Sequence, residues 1–531
     1  MNRLGSEPRA KLLGDPWVNS LLMAGALLLA WELLVRLLLS ERYILAAPSA
    51  ILERLASRPD LYARALLVTL REAALGFLYG NGAALLLATL VALVPVSERL
   101  VQNLALVVFC LPLVATGPVL RVMFGTSDGP QITLAALAVY YTTFVPLVVG
   151  LRAIPASWRD LVVSYGRGRL AMLRYVRARA AVPYLVAGLQ VAAPAAVLGA
   201  MVGEFTGAER GMGVLVIQGI RSLDVVATWT VASLATVASI AVYLLAVAFG
   251  RWLSPGTPPL LLTARPSRKP SPAAAWISLG MALLTGLLIL GVWQMSMDGL
   301  QLNRFFAKRP GDVWAFLVTH ANAGSHRRQL FQALGSTLGV TVPGYFAGLG
   351  VGLLTACGFE LFPLVRQGAM PVAIALRSVP IITTAPLVII VMGRGGASLI
   401  TLVAVMTFFP TLIACAQGLR QVPGQVIDVF NTFAAHRLKI LVLARLPAAL
   451  PAFFAAARIA VPTAVLAATV AEWLATGTGI GNLMALTYST SNYGLLWSAV
   501  VVLTLVSVAG YGIVAGLERW VLSQVAPEQV V

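Results

Sequence analysis

Acidic residues are scarce in this 531-residue chain: 20 Asp and Glu stand against 38 Lys and Arg, and all charged residues together make up 11%. A soluble domain draws about a quarter of its residues from the charged types, so a molecule wetted on all sides is excluded. Cysteine and histidine are equally few, at three each. Cys110, Cys357 and Cys415 lie in apolar stretches without pairing or ligand spacing, which leaves neither a disulfide framework nor a metal site. His320, His326 and His436 are scattered, and no triad or paired acid–base set emerges, so chemistry by this chain is not expected. A GxxxxGK[ST] loop is also absent, so the chain lacks the backbone cradle that would hold ATP phosphates.

What is abundant is apolar surface. The chain is 59% hydrophobic, with a mean hydropathy of +0.87. Runs such as Ser20–Leu39, Asn81–Val94 and Ala273–Val292 approach the ~20 residues that cross a bilayer as a helix. They are far longer than the ~10-residue alternating strands of a membrane barrel. The sequence therefore predicts an all-α polytopic membrane protein. The N-terminus is basic, and the apolar run after it has no small-residue cleavage site, so it reads as a retained first span rather than a removed signal. The net charge of +18 fits basic loops on the cytoplasmic side better than a nucleic-acid surface.

The chain repeats itself. One offset of 268 residues relates Thr69 to Thr337, Gly76 to Gly344, Pro112 to Pro380, Asp160 to Asp428, Pro194 to Pro462, Glu204 to Glu472, Gly213 to Gly481 and Trp229 to Trp497. Similar hydrophobicity alone would not align rare Pro, Trp and Glu in this way. Trp31 and Pro48 match Trp293 and Pro310 at an offset of 262, so a six-residue length difference lies before Thr69. The expected organisation is a first repeat over 1–252, a Pro-rich cytoplasmic linker over 253–272 and a second repeat over 273–531. Spans are expected near 17–40, 64–94, 100–124, 130–151, 184–206 and 225–250. In the second half they are expected near 273–295, 331–356, 362–392, 397–419, 452–474 and 493–518. About twelve helices thus form two parallel six-helix repeats.

Charge orients them. With both termini cytoplasmic, the loop after the fourth span is inside, and it carries Arg152, Arg159, Arg167, Arg169, Arg174, Arg177 and Arg179. Its partner carries Arg420, Arg437, Lys439 and Arg445, while the loops after the fifth spans are balanced or uncharged. The basic segment Arg304–Arg328 falls outside and is expected to lie as a helix on the membrane surface.

The two fourth-to-fifth loops, Asp160–Pro183 and Asp428–Pro451, each read as a short helical stretch, a small residue and a second stretch ending at Pro. They resemble the EAA loop of binding-protein-dependent ABC importer permeases of the type I fold: acidic–Ala–Ala, three residues, Gly, nine residues, an aliphatic residue, one residue, Leu-Pro. Asp160, Gly166 and Val176 take the acidic, Gly and aliphatic places in the first copy, where Ala178-Arg179 replaces Leu-Pro. In the second copy Asp428, Leu446 and Pro447 match, Ala434 replaces Gly and Ala444 replaces the aliphatic residue. Neither copy keeps Ala-Ala. Thr69–Phe77, Pro112–Gly125, and Glu204 and Glu472 with the Gly-x-Gly that follows each resemble the sulfonate, taurine and nitrate-type permeases. The resemblance spans nearly the whole chain twice, with two usually separate subunits fused.

The resemblance implies a bacterial plasma (inner) membrane transport subunit. Its partners would be two cytosolic ATP-binding subunits gripping the two loops, an extracytoplasmic substrate-binding protein, and no nucleic acid. No cofactor is expected in this chain, ATP being bound by the partner subunits. The resemblance suggests a small organic anion, such as a sulfonate, or a vitamin-like solute. Glu204 and Glu472 are candidate pathway residues because buried membrane carboxylates are costly; the alternative is a hydrogen-bonded structural acid. Arg458, where the first half has Gln190, reads as a snorkelling or capping residue. The competing reading is a major-facilitator-like secondary transporter, which also has two six-span halves. It would put a basic loop between the second and third spans, where only Val94–Arg99 lies.

Overall fold

The computed structural model describes residues 25–26, 28–39, 45–253, 272–377, 385, 388–389 and 391–525. The proposed linker (254–271), part of the first span and most of the second half of the ninth lie outside the described residues. Among the described residues there is no strand. In the first half α1 covers 25–39 and is followed by α2 (Pro48–Ser57), α3 (Pro59–Leu93), α4 (Pro95–Phe109) and α5 (Leu113–Phe124). Then come α6 (Gly129–Arg152), α7 (Ala156–Ser164), α8 (Arg169–Phe205), α9 (Met212–Arg221) and α10 (Val225–Leu253). The second half runs through α11 (Pro272–Gly299), α12 (310–319), α13 (Ala323–Leu361), α14 (Pro363–Arg377) and α15 (Gly396–Gly418). It closes with α16 (Gly424–Thr432), α17 (Arg437–Leu474), α18 (Gly479–Ser489) and α19 (Tyr493–Val525).

Nine helices among the described residues are long and apolar enough to cross a membrane, and the α4–α5 pair makes a tenth. The two other expected spans, 17–40 and 362–392, are the ones only partly described, and their described parts are helical. The expected continuous third span over 100–124 is instead bent by 93° between α4 and α5. Pro112 sits at the break in extended geometry, φ −70° and ψ 107°; it offers no N–H and steers the residue before it away from the helical region. The expected end of each loop at Pro183 and Pro451 also shifts. Both prolines lie inside helices, and α8 and α17 run unbroken from the loop through the fifth span. A π-turn marks the same place in both, at Leu173–Arg177 and Leu441–Arg445.

Small residues let the spans approach closely. α6 packs between α3 and α8, and α15 between α13 and α17. A Cβ on Gly76 would strike Ala135, and one on Gly344 would strike Val403, the same pair of positions in each half. This is the small-residue contact that drives helix association where lipid gives no hydrophobic force. The repeat reaches to ring contacts: Trp31 meets Trp229 at 5.4 Å, tilted by 54°, and Trp293 stacks on Trp497 at 5.2 Å.

The halves meet across α4 and α5. α11 lies on α4, and α5 touches α17, α18 and α19, so that Ala115 and Val119 join a core with Val465, Ile480 and Met484. The basic segment 304–328 does form a helix over 310–319, but it packs on α13 and α19 instead of lying free on a membrane surface. The indole N–H groups of Trp293 and Trp497 donate to the carbonyls of Lys308 and Phe306 at 3.0 and 2.9 Å. Arg309, 7% exposed, donates to Asp298 at 3.0 Å and to the carbonyls of Ala307 and Leu302.

Candidate functional site

Two features recur in both halves at the same register: a buried acid at one end of the molecule and an exposed helical loop at the other. The acids come first. Glu204 ends α8 and Glu472 lies in the last turn of α17, each 1% exposed. The Thr69 hydroxyl donates to Glu204 Oε1 at 2.5 Å and accepts from the Met212 N–H at 2.9 Å. The Gly213 N–H closes the ring on Glu204 Oε2. In the second half Thr337 donates to Glu472 at 2.8 Å and accepts from the Ile480 N–H at 2.8 Å, and the Gly481 N–H donates to Glu472 at 2.9 Å. Each carboxylate thus binds the first turn of the short helix that follows it, where unpaired N–H groups and the helix dipole favour negative charge.

Glycine makes this clamp possible. Gly211 has φ +119° and Gly479 φ +86°, and a Cβ on either would fall on the glutamate carboxyl group. The segments after the fifth spans, read from sequence as loops, therefore contain helices α9 and α18. These are tucked into the core through Met212 and Val216 and through Ile480 and Met484. The polar partners Thr69 and Thr337 went unassigned in the sequence, although both keep the 268-residue register. Glu72 is a further buried acid, 2% exposed; Val340 occupies the matching place in the second half. With their oxygens held by internal donors, Glu204 and Glu472 can act on a pathway by fixing α9 and α18.

The loops lie at the opposite ends of α8 and α17. Pro155 and Pro423 precede α7 and α16 at N-cap positions with φ −56°. After each short helix the chain reverses in a left-handed residue: Gly166 at φ +65° and Ala434 at φ +48°. The turn bonds match, Arg167 N–H to Val162 O at 3.2 Å and Ala435 N–H to Phe430 O at 3.0 Å. The geometry that the Gly place demands is thus kept in the second half by a residue with a Cβ, at a steric cost of about 1 kcal/mol. Asp160 and Asp428 are exposed, and Asp160 lies 3.4 Å from Arg159. Val176 falls in the π-turn of α8, half-buried. Leu446 and Pro447 continue α17 directly after its π-turn.

Each loop also exposes apolar side chains at matched positions. Tyr165 and Phe433, 268 residues apart, are 75% and 80% exposed at the two tips. Leu161 and Val429 are exposed in the same way, as are Leu170 and Leu438. A groove of about 380 Å³ lies between Val162, Tyr165, Arg167, Ala171 and Tyr175 on the first loop. His436, expected at the surface, is exposed, and its ring caps the next turn by accepting from the Lys439 N–H at 3.1 Å. Arg458 departs from the snorkelling expectation: it pairs with Glu518 at 3.1 Å. Gln190 and Gly250 hold the two matching places in the first half.

A bundle of repeated, membrane-length helices with one helical hairpin projecting from each half defines a multi-pass transport permease built from two like units. The chain belongs to the family of the binding-protein-dependent transport system inner membrane component, whose model matches it twice, over residues 80–257 and 348–523. It is 32% identical over 233 residues to a probable ABC transporter permease protein of Haemophilus influenzae, a match covering 43% of this chain and 93% of that protein. It is 27% identical to the riboflavin transport system permease RibX of Chloroflexus aurantiacus, over 46% of this chain and 89% of the relative. It is 26% identical to the taurine transport permease TauC of Escherichia coli, over 40% and 76%. Each relative is matched over most of its own length by less than half of this chain, as expected for two permease units fused in one polypeptide.

Proposed function

We propose that this chain forms the whole translocation pathway of an ATP-driven importer and couples it to two cytosolic ATPase subunits, one at each loop, 160–183 and 428–451. The observation that carries the reading is the matched pair of projecting hairpins. Each has an exposed aromatic tip, at Tyr165 and Phe433, and an exposed apolar flank. Water-facing patches of this kind mark protein interfaces. Because α7 and α16 turn directly into α8 and α17, a push on either hairpin is delivered along a rigid rod to its far end, where Glu204 or Glu472 holds α9 or α18. ATP would be bound by the partners, and an extracytoplasmic binding protein would deliver the solute. The positive charge of the loops supports a cytosolic loop face and cytosolic termini in a bacterial cell. The unit boundaries are taken at 252 and 273. Among relatives, those named for taurine and riboflavin transport favour a small organic anion or a vitamin-like solute.

The test is co-purification. Expressed with an ATPase subunit from neighbouring genes and extracted in mild detergent, the chain is expected to carry two ATPase copies. Asp160→Lys and Asp428→Lys should weaken that association and uncouple transport without preventing membrane insertion. A chain that purifies alone and transports on an ion gradient without ATP would return the secondary-transporter reading.

A further inference from the structure

The loop ends of the second spans are tied to the hairpins by arginine in both halves, and the ties differ in chemistry. In the first half Arg177, in the π-turn of α8, donates to the Ala92 carbonyl at 3.2 Å, and Arg169 donates to the Leu93 carbonyl at 3.3 Å. Both carbonyls belong to the last turn of α3, where acceptors lack helical partners and the dipole favours cations. In the second half Arg445, in the π-turn of α17, forms an ion pair with Glu360 in the last turn of α13. Arg366 stands 3.9 Å from the same carboxylate. Arg445 lies 268 residues after Arg177, and Glu360 lies 268 after Ala92. The same two backbone positions are therefore joined twice, once by an arginine on a carbonyl and once by an arginine on a carboxylate whose side chain is only 14% exposed. Where Glu360 projects in the second half, the first half has a cavity of about 390 Å³ whose lining includes Ala92, Glu98, Arg152 and Arg177.

We infer that Arg177 and Arg445 are positioning residues that transmit hairpin movement to the second spans. The inference rests on the proposed coupling role of the hairpins. Each hairpin then drives two spans, the fifth through helix continuity and the second through this arginine. Splitting the second-half tie strands a poorly exposed carboxylate, so it resists separation.

The experiment uses the full chain reconstituted in proteoliposomes with its ATPase and binding protein. Glu360→Gln should still co-purify with the ATPase and keep its basal hydrolysis, while binding-protein-stimulated hydrolysis and transport fall together by about tenfold, and Arg445→Gln should show the same joint fall in stimulated hydrolysis and transport. The double exchange Glu360→Arg with Arg445→Glu should recover at least half of the loss, which a merely structural disturbance would not. Ala92→Glu should place a carboxylate in the first-half cavity beside Arg177 and raise thermal stability without a loss of transport; this variant keeps the idea testable if the others fold poorly. Single variants with normal stimulation, or an exchange that assembles but recovers nothing, would overturn the inference. If instead the unmodified chain binds no ATPase, it is the importer reading that fails.

Discussion

Replacing Thr337 by Val probes the clamp that joins the second span to the end of the fifth. The two side chains have nearly the same shape, so the change removes a hydroxyl and leaves the packing. That hydroxyl does two jobs at once, donating to Glu472 and accepting from the Ile480 N–H. Its loss leaves a fully buried N–H without a partner, at about 1–3 kcal/mol, and takes one donor from a carboxylate, worth about 1.5–3 kcal/mol. Allowing for overlap between the two, Thr337→Val should destabilise the second half by about 2–4 kcal/mol. Thr337→Ser retains the hydroxyl and should cost less than ~1.5 kcal/mol, from the lost methyl group. The measurement is the temperature at which half of the monodisperse peak is lost on size exclusion of detergent-solubilised protein, alongside transport in vesicles. The order should be wild type, Ser, then Val, with α18 becoming accessible to protease in the Val variant. Equal melting of the Ser and Val variants would show that methyl packing, and not the hydrogen-bond ring, holds α18 in place.

Other outcomes follow from comparing the two halves. Ala434→Gly should stabilise slightly, by up to ~1 kcal/mol, because relief of the left-handed strain exceeds the entropy a glycine loses; Gly166→Ala should destabilise by about the same amount. Paired melting curves check both signs. Arg458→Gln should destabilise by about 2–3 kcal/mol by leaving Glu518 alone at 13% exposure. Adding Glu518→Gly rebuilds the Gln190 and Gly250 pair of the first half and should restore most of the loss, as read in a double-mutant cycle.

Much of the fold was legible because the chain carries its own alignment. Thr69 with Thr337, Gly76 with Gly344 and Glu204 with Glu472 hold one register, and each pair does the same work in three dimensions. Span lengths followed from hydrophobic runs. The bend between α4 and α5 did not, because an apolar run reads the same whether straight or folded at Pro112, and hydropathy carries no direction. Helices α9 and α18 were hidden for a related reason: ten or eleven residues are too short to span, and their burial depends on an acid that is distant in sequence. The hairpins were found by motif spacing, yet the left-handed turn at Ala434 was not foreseen, since alanine carries no sign of positive φ. The Arg458–Glu518 pair needed coordinates as well, because its members are 60 residues apart on α17 and α19.

Placing both halves on one chain also changes what kind of residue each matched position can hold. In a pair of identical subunits every substitution is made twice, so a charge gained at one position is gained at its image as well. This chain is free of that rule. Arg377 occupies the position that Phe109 holds in the other half, and Glu72 the position of Val340. A cation can stand in one half, and an acid in the other, where the matching position is apolar. The fusion thus lets a substitution act on one half without its mirror copy, and gives the two halves separate histories.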